Sequence, residues 1–180
     1  MEKAEKRLLT AEEFFSMYEE TQDRIELIYG KVVMQAAPNT VHQLLVGGLH
    51  FELLAFIRKR KGKCRAFVSP YDVVMGNNVV QPDVLVICDP SKINERRANG
   101  APDLIIEISS ESGTRDYREK LDIYKSAGVR EYWIVDPECQ RTLVYLFGEQ
   151  VNVCFYNFDK PVPVGIFSGE LSITVGDLIV

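Results

Sequence analysis

The chain reads as an α/β or α+β sheet domain. Three features of the sequence predict this. Short apolar runs of strand length, such as residues 79–87 and 104–109, are bounded by turn residues. Two longer segments read as helices, the first with its apolar residues spaced three and four apart. Finally, 46% hydrophobic and 26% charged residues in a chain of 180 is the mix of one folded domain, spanning residues 1–180.

The elements follow in order. Thr10 and Glu13 form a capping box, so a short helix is expected to about Glu20. Residues 24–34 read as two strands around a Tyr29-Gly30 turn. Pro38-Asn39-Thr40 offers N-caps for a long helix through about Lys61, with Val41, Leu45, Leu49, Leu53 and Phe56 as its apolar positions. Gly47-Gly48 lies inside it. Glycine costs about 1 kcal/mol in a helix interior, so another element is expected to pack closely there. Strands follow over residues 64–88, and polar residues 89–101 read as a loop. Residues 104–109 show little alternation, as in a strand covered on both faces. Residues 114–127 predict a helix ended by Gly128, and residues 131–136 a strand stopped by Pro137. The remainder predicts C-terminal hairpins over 142–147 and 150–158, with Gly148-Glu149 as the turn.

Composition narrows the class. Cys64, Cys88, Cys139 and Cys154 are far apart and form no C-x-x-C pair, so they read as isolated thiols of a reducing cytoplasm. No membrane span is expected, and residues 1–10 alternate acids and bases without an apolar leader segment. The net charge of −5 is not that of a general nucleic-acid binder. However, Arg58, Lys59, Arg60, Lys61, Lys63 and Arg65 form one acid-free basic run. Such a run suits phosphate backbones, and it also suits the C-terminal end of a helix dipole.

Two carboxylates carry the chemistry. Asp83 and Glu107 sit in separate apolar, strand-like runs, where an acid is costly unless it is paired or holds a cation. On neighbouring strands they make a site for a hard metal ion such as magnesium or manganese. Asp103 competes with Asp83, but it lies ~13 Å from Glu107 along one strand, too far to share an ion. Ser109 faces the same side as Glu107 without a charge. Asp116, Lys120 and Tyr124 lie along one helix face, so Lys120 can bring an ammonium group to the acids. Glu26 is a third acid in an apolar strand. His42, in the first turn of the long helix, is a candidate phosphate contact. His50 lies about 12 Å further along the helix and reads as structural. No phosphate loop of the G-x-x-x-x-G-K-[ST] type and no G-x-S-x-G elbow is present.

These residues resemble a known pattern. Pro82-Asp83 followed by Glu107-x-Ser109 resembles the PD-(D/E)XK nuclease superfamily, with its last lysine displaced. More specifically, the chain resembles the Uma family of restriction-endonuclease-like proteins, a domain of unknown function. The matching segments are residues 26–33, 81–84, 102–110, 116–120, Tyr124 and 128–137. The resemblance implies a restriction-endonuclease-like core, a mixed central sheet flanked by helices. It implies a metal site at Asp83 and Glu107, Lys120 standing in from the helix for the lysine absent at Ser109, and Glu26 as an accessory acid.

The expected function is therefore a magnesium- or manganese-dependent endonuclease acting on DNA, with Arg58–Lys61 and His42 near phosphates, and the expected assembly a homodimer. The alternative is a non-catalytic nuclease-fold scaffold or protein-binding subunit. Its apolar C-terminal hairpins, with Phe155, Tyr156, Phe158 and Phe167, would then serve a homodimer or a partner.

Overall fold

A computed structural model describes residues 7–18, 21, 23–109 and 114–179, with the backbone alone at 114–117. The capping box forms as expected. The Glu13 N–H donates to Thr10 Oγ1 at 3.1 Å and the Thr10 N–H to Glu13 Oε2 at 3.0 Å, starting α1 (Ala11–Tyr18). Strands β1 (Ile25–Ile28) and β2 (Lys31–Met34) are joined by Tyr29 and Gly30, at φ 49° and 76°. Two successive positive φ values suit the right-handed twist of a two-residue hairpin. Asn39 then caps α2 (Thr40–Lys59) by accepting the His42 N–H at 2.9 Å.

Short strands follow: β3 (Arg65–Val68), β4 (Val73–Met75), β5 (Asn78–Val80) and β6 (Val84–Ile87). The stretch read as a loop contains a 3-10 turn at Pro90–Lys92 and a two-residue strand, β7 (Ala98–Asn99). Its polar composition concealed the strand, because β7 needs only backbone pairing with β4. After β8 (Leu104–Ile108) come α3 (Thr114–Ala127), β9 (Glu131–Asp136), β10 (Arg141–Leu146) and β11 (Asn152–Asn157). A last strand pair, β12 (Pro161–Pro163) and β13 (Ser172–Thr174), leads into a 3-10 turn at Val175–Ile179.

The fold is α+β with mixed sheets. One sheet runs β11-β10-β9-β8-β6-β3, and a second runs β2-β1-β5-β4-β7. Among the described residues only β8–β9 and β4–β7 pair in parallel. The six-stranded sheet is covered on both faces. Leu45, Leu49, Leu53 and Ile57 of α2 pack with Val84, Val86, Leu104 and Ile106. On the opposite face Ile123 and Tyr124 of α3 pack with Leu85, Ile87, Ile105 and Tyr132. Alternate residues of β6 and β8 thus serve two cores, which is why their sequences are apolar throughout. Buried Glu131 accepts the Trp133 indole N–H and the Gly165 and Ile166 backbone N–H groups, pinning the C-terminal segment to β9.

One expectation is corrected. Cys64 and Cys88 form a disulfide. Arg65 pairs with Ile87 in the β3–β6 register, so one step further brings the two cysteines together. The isolated-thiol argument for a reducing cytoplasm therefore applies only to Cys139 and Cys154. By length and composition alone α2 would be long and apolar enough to cross a membrane. Its inner face belongs to the sheet core.

Candidate functional site

The site is built by strand register. Val84 faces Ile106 in the antiparallel β6–β8 pair, so the next step outward sets Asp83 opposite Glu107. Alternation along β8 sends Ile106 and Ile108 toward α2 and Glu107 toward α3. Asp83 and Glu107 are both buried, at 6% and 5% exposure, and both line a cavity of about 810 Å³. The cavity mouth includes Pro38, Asn39 and Val41 from the start of α2.

Each acid is held by its own set of donors. Ile108 N–H donates to Asp83 Oδ2 at 2.9 Å, and His42 Nε2 lies 3.1 Å from the same oxygen. The Arg24 guanidinium approaches Asp83 Oδ1 at 3.7 Å while donating to Ser69 Oγ at 2.8 Å. Glu107 Oε1 accepts from Lys120 Nζ at 2.9 Å and from the Tyr124 hydroxyl at 2.6 Å. The same ammonium lies 3.0 Å from Glu26 Oε1, which also accepts the Gln81 N–H at 2.8 Å. Lys120 therefore bridges an acid from each sheet.

Burial sets the charges. It pushes the Glu107 carboxyl up to about 7, against the pull of Lys120 and with the push of Asp83 and Glu26. Burial also works against the Lys120 ammonium, but Glu107 and Glu26 outweigh it and hold its pKa above the usual lysine value. Lys120 thus stays charged. Three acids face two fixed cations, Lys120 and Arg24, and one acid retains a proton near neutrality. A divalent cation fits this imbalance, because it can replace that proton. Magnesium takes one or two protein carboxylates, with water and phosphate completing its shell, and Asp83 and Glu107 supply two. Among the described residues no three His, Cys, Asp or Glu side chains converge as a metal centre of protein ligands alone would need.

A family model described as "Putative restriction endonuclease", Uma2, matches residues 11–176. The chain belongs to the Uma2 family. Its similarity extends to an uncharacterised Synechocystis protein, sll1609, at 28% identity over 145 residues, covering 77% of this chain and 81% of that one. A solved structure from Anabaena variabilis, titled a putative nuclease belonging to DUF820, superposes with a TM-score of 0.79 at 26% identity. It covers 95% of this chain, which covers 97% of it.

Against this Uma2 framework the sequence-derived residues fall into two groups. Asp83 with His42, and Glu107 with Lys120, Tyr124 and Glu26, form two contact sets at one cavity, which Ser109 also lines. The Asp116 side chain lies outside the described residues. Arg58, Lys59, Arg60 and Lys61 do not reach the cavity of their own chain. They sit at the far end of α2, sixteen residues or ~24 Å from His42 along the axis. There Arg60 pairs with Glu170 and lies over the Phe56 ring. Asp103 meets Arg130 and the Cys88 N–H instead, as a strand-entry residue would. The residues missed were Arg24 and Gln81. Both act from loops of the second sheet, whose docking no local pattern announces. The one signal for Arg24 was its place two residues before Glu26.

Proposed function

We propose that this chain is a metal-dependent endonuclease that hydrolyses phosphodiester bonds of DNA. The reading is carried by one observation: two buried carboxylates face each other across adjacent strands with an ammonium on one of them. Asp83 and Glu107 would hold a magnesium or manganese ion, which supplies Lewis-acid charge to the phosphate when bound. The chain's own groups do the rest. Ile108 N–H, His42 and Arg24 fix Asp83 in place. Tyr124 orients Glu107. Lys120 keeps a positive charge where negative charge grows on the transferred phosphoryl group, preorganised by Glu26 and Glu107.

A second reading, a non-catalytic nuclease-fold scaffold, draws support from the same ammonium, since Lys120 satisfies Glu107 and Glu26 without a metal. Calorimetric titration with manganese, paired with plasmid nicking, separates the two. The nuclease reading expects saturable binding and nicking, both lost in Asp83→Ala and Glu107→Ala. Lys120→Ala is expected to lose nicking by at least about 100-fold, the scale of removing one transition-state donor. A folded wild type that ignores manganese and leaves plasmid intact overturns the nuclease and leaves the scaffold.

A further inference from the structure

Among the described residues the outer face of α2 has no partner. Of the helix's twenty residues only Leu45, Leu49, Leu53 and Ile57 are buried. Leu44 is 42% and Phe51 66% exposed, and Gly47 is exposed between them. Gly48 is explained within the chain, because a Cβ there would meet Leu178 Cβ at 2.9 Å. Gly47 is not explained: a Cβ there would have nothing within 4 Å. A glycine so placed costs its helix about 1 kcal/mol with no return from the described residues.

The spacing of this face is regular. Thr40, Leu44, Gly47, Phe51, Leu54 and Arg58 recur at intervals of four and three, the a/d seam of a coiled coil. The pattern is also its own complement when reversed about Leu49. Gly47 then meets Phe51 of a second copy, Leu44 meets Leu54, and Thr40 meets Arg58. The largest exposed apolar side chain on the helix is thus matched by the seam's one glycine, and no acid lies among these six seam residues. An isologous contact requires this self-matching, which an unrelated partner would not impose.

We infer that two copies of this chain pair through antiparallel α2 helices, each Phe51 seated over the other copy's Gly47. The pairing has a consequence for the basic run, which rests on the nuclease reading above. Reversal about Leu49 sets Asn39 beside the second copy's Lys59, one helix spacing of about 8–10 Å away. Asn39 borders the acidic cavity. The basic run that is remote from its own cavity would then flank the other copy's.

Sedimentation of the full-length protein at micromolar concentration tests the pairing without reading any activity. Wild type is expected to sediment as a dimer. Phe51→Glu and Gly47→Leu should each raise the dissociation constant by about 30-fold or more, as removing a central anchor of an interface does, with circular dichroism unchanged. Mixing Leu44→Cys with Leu54→Cys, both in a Cys139→Ser background, should give a mixed disulfide-linked pair on mild oxidation. A monomeric wild type overturns the proposal, including one that instead binds phospholipid vesicles through α2. So does a dimer that survives both seam substitutions, which would place the interface elsewhere, for example on exposed Val153 and Phe155 of edge strand β11.

Discussion

At the residue scale the site is a problem of charge. Glu107 has an ordinary carboxyl value of 4.5 when exposed and is pushed to about 7 by burial. Between those values the folded chain holds a proton that the unfolded chain has released. Stability therefore falls as pH rises from about 4.5 to about 7 and changes no further through this group above that. We expect the melting temperature of cation-free wild type to drop across that window relative to Glu107→Gln, which has no proton to release. Magnesium added at pH 8 should restore the melting temperature of wild type and not that of the variant. Parallel melting curves for the two proteins between pH 5 and 8 would contradict this account.

At the element scale the two adjacent glycines of α2 make opposite predictions. Gly48→Ala drives a methyl into Leu178, whose Cβ belongs to a backbone turn that must shift, so a destabilisation of about 1–3 kcal/mol is expected. Gly47→Ala meets open space and gains helix propensity, so the monomer should be stabilised by up to about 1 kcal/mol. Urea unfolding of Phe51→Glu, which keeps the chain monomeric, checks both. Much of this level was legible in the sequence. The Thr10–Glu13 box starts α1, Asn39 caps α2, and α3 ends before Gly128, because each of these signals is local. Asp83 and Glu107 were also legible, since an acid inside an apolar strand stands out against its neighbours. What lay beyond the sequence was pairing between distant segments. The Cys64–Cys88 bond depends on the β3–β6 register, and the hold of Arg24 on Asp83 depends on how the second sheet docks. In each case the partner lies more than twenty positions away along the chain, beyond the reach of any local pattern.

At the scale of the whole molecule the basic run is misplaced for its own site and well placed for another. The chain carries −5 overall, so nucleic acid must be attracted locally, and the binding should weaken as salt rises. The antiparallel pair proposed for α2 gives the run a role in trans, and complementation can read it. One chain carries Asp83→Asn with its basic run intact. A second carries Lys59→Gln, Lys61→Gln and Lys63→Gln with its acids intact. Each alone should nick plasmid poorly, the first for want of a carboxylate and the second for want of cations on the DNA backbone. The salt slope of the second should be shallower by about 0.9 for each phosphate that the run no longer neutralises. After mixing, half the dimers are hybrid, and each hybrid has one cavity with intact acids beside an intact basic run. Nicking should then return to about a quarter of wild type, as expected for random reassortment of a two-fold dimer. If the run serves its own chain, no hybrid contains a complete site and mixing returns nothing. If the triple substitution nicks as wild type does, the run has no part in binding, and the trans arrangement fails while the acidic site stands.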